Sequence, residues 1–246
     1  MKIEILYPEI CTLYGDKGNT MYLQKCLPDA EFVTTGLNEK PLFLRENIDM
    51  VYMCSMSEKS QELVLDRLMQ YKDEIAACMK DGKALFLLVG NSMELLGDYI
   101  KREDGTRVTG LGVVPGMYSV RQAPNRFNTL IKAKFNDMTL IGYTSRFAHT
   151  YGIPEDMTFC KVEIGQGSNP DTMNEGICKN RVIATYIHGP LLIQNPDFVH
   201  YLLKRLDAPM KEIPFEAAMR KAYDVKLAEY GIGSKKYEDT RELISM

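Results

Sequence analysis

An apolar run, Ala84-Leu85-Phe86-Leu87-Leu88-Val89, stops at Gly90, and Asn91-Ser92-Met93-Glu94-Leu95-Leu96-Gly97 continues with the spacing of a short helix. A buried parallel strand followed by a sharp turn and a helix holds the turn residue at a pocket. A cysteine at such a turn is an activated nucleophile, because the amides of the following helix favour its thiolate. Here the turn residue is Gly90, and a one-residue shift in register offers only Val89 or Asn91. The pattern resembles a nucleophile elbow whose nucleophile is missing. His188 follows the last apolar strand, and a histidine beside a thiol would activate it as in any Cys-His pair. Without a thiol it has nothing obvious to deprotonate, so a hydrogen-bonded packing role and a binding role both stay open. Ser92 lies two residues past the turn and reads as the cap of the helix rather than a replacement nucleophile. Cys54, at the end of an earlier strand, could face the same pocket, although such thiols are more often core residues. Asp16 falls in the loop after the first strand, where it could meet a partner or, preferably, cap the helix at Gly18.

The elements that must position these residues alternate along the chain. Residues 2–7, 31–34 and 50–54 read as strands, and a helix opens at Gly18-Asn19-Thr20 with Met21, Leu23 and Leu27 on its inner side. Residues 57–80 read as one long helix with Ser57 as N-cap, Gly82 past its end and a core stripe of Leu65, Leu68, Met69, Ile75, Ala76 and Met79. The first hundred residues therefore predict an open parallel sheet with helices on its faces, and ligands in such sheets sit beyond the carboxyl ends of the strands. Residues 118–121, 129–135, 139–143 and 159–164 alternate like strands of a mixed sheet and are expected to extend the same sheet. Residues 182–187 form a last strand, and Asn195 is expected to cap a helix running to about Leu206. Beyond Asp207 come Pro209, Pro214, an amphipathic segment over 215–230, a Gly-Ile-Gly-Ser break and a charged end. The amphipathic segment is expected to pack on its own domain or, failing that, to face a partner.

Composition narrows the function classes. A chain of 246 residues can form one large α/β domain that buries roughly 70 to 75% of its unfolded surface. With 30 Lys+Arg against 33 Asp+Glu and a net charge of -3, it has no basic stripe for a phosphate backbone, so nucleic acid is not an expected partner. The apolar runs are of strand length, far below the ~20 residues a membrane crossing needs, and neither export nor a membrane partner is expected. Cys11, Cys26, Cys54, Cys78, Cys160 and Cys178 show no metal-ligand spacing and read as reduced thiols of a cytoplasmic protein. No metal or cofactor is expected.

Several blocks resemble the cobyric-acid-synthase type (CobB/CobQ) of class I glutamine amidotransferases, with the nearest likeness to the amidotransferase subunit of lipid II isoglutaminyl synthase. They are Leu13-Tyr14-Gly15-Asp16-Lys17-Gly18-Asn19, Glu94-Leu95-Leu96-Gly97, Gly110-Leu111-Gly112, and Tyr186-Ile187-His188-Gly189-Pro190-Leu191-Leu192 with Asn195-Pro196. The resemblance spans residues 13–196 and implies a flavodoxin-like fold of three layers, an open, mostly parallel sheet with helices on both faces. It implies an amidotransferase-like domain over 1–207 and a helical extension over 208–246, packed on that domain or on a partner. The family uses Cys as nucleophile, His as base, a glycine-rich oxyanion loop, and a tunnel that passes ammonia to a synthetase. Gly90 stands at the Cys position and His188 at the base. Where the family's loop reads Gly-Gly-Gly-Gln-Asp, this chain has Cys54-Ser55-Met56-Ser57-Glu58. Its glutamine-holding stretch is met by Thr144-Ser145-Arg146-Phe147-Ala148-His149.

The resemblance makes Cys54, Ser55, Asn91, Ser92, Arg146 and His149 the candidate substrate-pocket residues. Tyr14, Asp16 and Asn19 are the candidate partner-binding residues. Acyl transfer needs both a nucleophile and oxyanion donors, and both are altered here. The favoured reading is a subunit without glutaminase activity that docks on, or regulates, a Mur-ligase-like synthetase of cell-wall precursor metabolism. The alternatives are an enzyme with different chemistry in the same pocket, or a binder of glutamine or a related amide.

Overall fold

The computed structural model describes residues 1–208 and 212–232, the last two by backbone alone. In chain order the elements are β1 (Lys2–Leu6), α1 (Lys17–Cys26), β2 (Glu31–Thr35), β3 (Met50–Met53), α2 (Glu58–Met69), α3 (Lys72–Asp81) and β4 (Leu85–Val89). A 3-10 turn over Gly90–Leu96 follows, then β5 (Tyr99–Lys101), β6 (Arg107–Thr109), β7 (Tyr118–Arg121), β8 (Phe127–Phe135), β9 (Met138–Arg146) and β10 (Ala148–Tyr151). The remainder comprises β11 (Thr158–Ile164), β12 (Asn174–Lys179), β13 (Val182–Thr185), α4 (Leu191–Gln194), α5 (Pro196–Arg205) and α6 (Glu216–Ile232).

The strands of the main sheet lie in the order β2-β1-β3-β4-β13-β12-β11-β8-β9. Its first five pair in parallel with the flavodoxin-like order. Every residue of β3, β4 and β13 is buried, as expected of strands covered on both faces. The other four pairings are antiparallel, so the sheet is mixed rather than mostly parallel. The cause is local: β8 to β9 and β12 to β13 are joined by two-residue turns, which only antiparallel neighbours permit, and Asn136 and Asn180 supply a positive φ of 50° and 53° there.

A second sheet has the order β10-β7-β5-β6. The strand over 118–121 therefore does not extend the main sheet, because it pairs with β5 and β10 instead. The single helix expected over 57–80 is two, α2 and α3, broken at Gln70-Tyr71. The buried positions Val64, Leu65, Leu68, Ile75 and Met79 keep helical spacing across the break, which is why periodicity reads through it. Ser57 caps α2 by accepting from the Ser60 amide at 3.1 Å, and Gly82 closes α3 at φ +65°.

Helix α6 lies against the body of the protein. The Tyr22 hydroxyl donates to the Pro214 carbonyl (2.7 Å), Tyr223 to the Thr139 carbonyl (2.8 Å) and Tyr230 to the Gly142 carbonyl (3.1 Å), while Met219 is buried. Pro209 and the charged end past Ile232 lie outside the described residues. Among the described residues no helix is long and apolar enough to cross a membrane, and no group of three or more His, Cys, Asp or Glu could hold a metal ion.

Candidate functional site

The carboxyl ends of β1, β3, β4 and β13 deliver Asp16, Ser55, Gly90 and His188 to one place, where open α/β sheets bind ligands. Asp16 is 0% exposed and His188 1% exposed. The Asp16 Oδ2 atom accepts from His188 Nδ1 at 2.7 Å and from the Ser55 hydroxyl at 2.7 Å. Ser55 Oγ lies 3.4 Å from the same His188 nitrogen. In a Ser-His-Asp triad the serine and the carboxyl group engage opposite nitrogens of the imidazole. Here both sit at Nδ1 and the serine proton points to Asp16, so Ser55 is not activated as a nucleophile.

Gly90 forms the turn with φ +73°, a conformation that glycine adopts without strain. A β-carbon at this position would lie 2.6 Å from His188 Cε1 and 2.7 Å from both Cβ and Oγ of Ser55. The space that a nucleophilic side chain would need is occupied by its would-be base and by a loop serine. The His188 backbone is fixed as well, through a two-way bridge with Tyr143 in which His188 donates at 2.8 Å and accepts at 3.2 Å. The rings of Tyr14 and Tyr143 flank the imidazole, with centroids 4.7 and 5.7 Å away, and the Tyr143 hydroxyl donates to the Tyr14 carbonyl at 3.2 Å.

The remaining candidates are distributed differently from expectation. Cys54 turns its thiol to the Cys11 carbonyl, and burial pushes that thiol up to about 12. Burial also raises the other five cysteines, so no thiol here is poised as a thiolate. Ser92 does not cap a helix, because its hydroxyl donates back to the Val89 carbonyl at 2.8 Å inside the 3-10 turn. Asn91 splints the neighbouring loop, accepting from the Met56 amide (3.0 Å) and donating to the Met56 carbonyl (2.7 Å). Asp16 shows no side-chain cap on α1, and its burial removes it from any partner surface. Asn19 is equally buried, donating to the Tyr52 hydroxyl (3.0 Å) and accepting from the Leu192 amide (2.9 Å). Of the three partner candidates only Tyr14 is partly exposed. The expected Asn195 cap is replaced by bonds to the Ile141 amide and carbonyl and to the Leu191 carbonyl.

Arg146 and His149 belong to a separate buried polar layer. Arg146 donates to the Gly167 carbonyl and sits over the Tyr186 ring at 4.3 Å. The Tyr186 hydroxyl donates to Glu94 (2.9 Å), which also accepts from Gln61 (3.0 Å), and burial raises the Glu94 carboxyl. No local pattern marks the Glu94 bonds, because Gln61 and Tyr186 lie 33 and 92 residues from it in sequence. His149 stacks on Phe127 with centroids 4.0 Å apart and lies 3.1 Å from the Gln122 carboxamide. Burial, followed by the nearby Arg146, lowers it from 6.5 to about 4. A histidine depressed on folding stabilises the native state above its unfolded pKa and loses that contribution as pH falls. Unfolding in urea should therefore become easier between pH 6.5 and about 4, and His149→Gln should flatten the profile across that window.

The chain matches the CobB/CobQ-like glutamine amidotransferase domain over residues 2–196. It is 26% identical over 207 residues to the lipid II isoglutaminyl synthase (glutamine-hydrolyzing) subunit GatD of Streptococcus pneumoniae, covering 82% of this chain and 79% of that protein. It is 27% identical to the same subunit of Staphylococcus aureus, covering 83% of each. The fold superposes on the crystal structure of a glutamine amidotransferase with a TM-score of 0.54 at 12% identity, covering 83% of this chain and 98% of that one. With PurLQS from Thermotoga maritima the TM-score is 0.52 at 12% identity, covering 76% and 86%. A match over most of the chain, together with motif blocks that converge on Gly90 and His188, makes this protein a member of the CobB/CobQ-like glutamine amidotransferase family.

Proposed function

We propose that this chain is an amidotransferase-like subunit that does not hydrolyse glutamine at the Gly90 turn and that acts by docking on a Mur-ligase-like synthetase. The observation that carries this reading is the closed turn. A side chain at position 90 would meet His188 at 2.6 Å and Ser55 at 2.7 Å, so the site lacks the thiol and the room for one. The GatD relatives are named as glutamine-hydrolysing subunits. The subunit character is what this reading carries over, and the hydrolysis is what it leaves behind.

A surface suited to docking lies on the α1, α4 and α6 side. Met21, Ile193 and Phe215 are exposed there at 57%, 38% and 66%, around a cleft of about 260 Å³ that Tyr22, Lys25 and Met219 complete. Exposed apolar side chains gathered at one place mark interaction surfaces more often than scattered ones do. Calorimetry with a Mur-ligase-like synthetase from the same organism tests the reading. We expect micromolar or tighter association, weakened at least tenfold by Phe215→Asp or Met21→Asp, since desolvated apolar anchors dominate such interfaces. No association in the presence of the ligase's nucleotide would refute the docking role. Charge reversal at Asp16 would not serve as a test, because that residue is buried.

A further inference from the structure

The edge of the second sheet borders a cavity of about 270 Å³, none of whose lining residues belongs to the Gly90 cluster. Tyr99, Tyr118 and Tyr151 occupy matched register positions on β5, β7 and β10. Their rings stack like cards, with centroids 5.1 and 5.4 Å apart and interplanar angles of 13° and 16°. The Arg107 guanidinium covers Tyr99 at 4.1 Å and closes that end of the stack. Strand β10 is the opposite edge, so no further strand covers the Tyr151 face turned away from Tyr118, and Tyr151 lines the cavity.

The rest of the wall is polar and held in place by its own side chains. The Asn169 carboxamide donates to the Thr150 carbonyl (2.7 Å) and accepts from the Asp171 amide (2.9 Å), and the Ser168 hydroxyl accepts from the Gly176 amide (3.2 Å). The Asp171 carboxyl and the Asn174 carboxamide also line the cavity, and neither makes a hydrogen bond to another described residue.

We propose that this cavity binds an uncharged, hydroxyl-rich ring of monosaccharide size, stacked on Tyr151 and hydrogen-bonded by Asp171 and Asn174. The volume lies just below that of most ligand sites, which run from about 300 Å³ upward, and so suits a single ring rather than a larger molecule. The lining holds one carboxyl group and no Lys, Arg or His, which disfavours an anion. A pyranose offers an apolar face to an aromatic ring and a rim of hydroxyls to carboxyl, amide and hydroxyl groups. That pairing is the usual division of labour in a small-molecule site, with an apolar wall for contact and a few polar groups for orientation.

The test uses the full chain, titrated with methyl glucoside and N-acetylglucosamine and followed by amide chemical shifts. Inorganic phosphate, choline and cytidine serve as anionic, cationic and planar-base competitors. We expect saturable binding of a sugar, with shifts centred on Tyr151 and residues 168–174. Tyr151→Ala and Asp171→Asn should each weaken binding about tenfold, equivalent to the loss of one good contact, while Tyr151→Phe keeps it. Asp171 is exposed, so its variant reports on binding even if Tyr151→Ala does not fold. The proposal is overturned if neither sugar saturates, if phosphate, choline or cytidine binds more tightly, or if Asp171→Asn binds like the parent.

Discussion

Replacing Gly90 with cysteine will destabilise the protein by about 2 to 5 kcal/mol instead of restoring a nucleophile. The left-handed turn at φ +73° strains any residue with a β-carbon, and that carbon would press on His188 and Ser55 at 2.6 and 2.7 Å. Sequence alone suggests another outcome, a thiol titrating below its free value beside a helix and a histidine. The structure revises that expectation because the pocket into which the sulfur would project is filled. Denaturant unfolding of Gly90→Ala isolates the steric part. In the double variant Ser55→Gly/Gly90→Ala, where the Ser55 contacts are gone, about half of the loss should return. A Gly90→Ala protein as stable as its parent would show that the site has room after all.

The second large effect is expected at Asp16. Its Oδ2 atom is the common acceptor for the Ser55 hydroxyl and His188 Nδ1. Asp16→Ala would leave two buried donors without that acceptor, at a cost of about 1 to 3 kcal/mol each. Asp16→Asn keeps an acceptor oxygen in place and should retain most of the stability. Chemical denaturation of the two variants separates this account from the reading of Asp16 as a surface residue. A surface residue would give changes within about 0.5 kcal/mol for both.

The legible parts of the fold are those where one local signal decides the outcome. The runs Leu85–Val89 and Met50–Met53 are wholly apolar because both faces of those strands are covered, and they read correctly as central parallel strands. Strands β5 and β6 have three residues each, too few to show an alternation, and they escaped notice together with β10. Strand β12 reads as polar because of Glu175, which is in fact fully buried and accepts from the Thr185 hydroxyl and the Tyr186 amide. Its partners, Thr185 and Tyr186, lie ten and eleven positions further on, at the end of the neighbouring strand, and no periodicity marks the pairing.

The same distinction runs through the site. Gly90 and His188 stand at the ends of apolar strands inside recognisable blocks, so their place at the carboxyl edge of the sheet can be read directly. The Asp16–Ser55 and Asp16–His188 bonds join residues 39 and 172 positions apart, and only the sheet order brings them together. Asp16 and Asn19 are polar residues in a loop and an early helical turn, which is the profile of a surface. Asn19 is buried where α1 packs against α4 and it accepts from the Leu192 amide, and Asp16 is buried where Ser55 and His188 converge on its carboxyl group.

Ammonia release from glutamine is the most direct measurement of the closed turn. The purified chain, alone and with a Mur-ligase-like synthetase added, should release no more ammonia than its His188→Ala variant, because no thiol is activated and the Ser55 hydroxyl donates its hydrogen bond to Asp16. Turnover well above that variant, lost on Ser55→Ala, would contradict the account and make Ser55 the nucleophile.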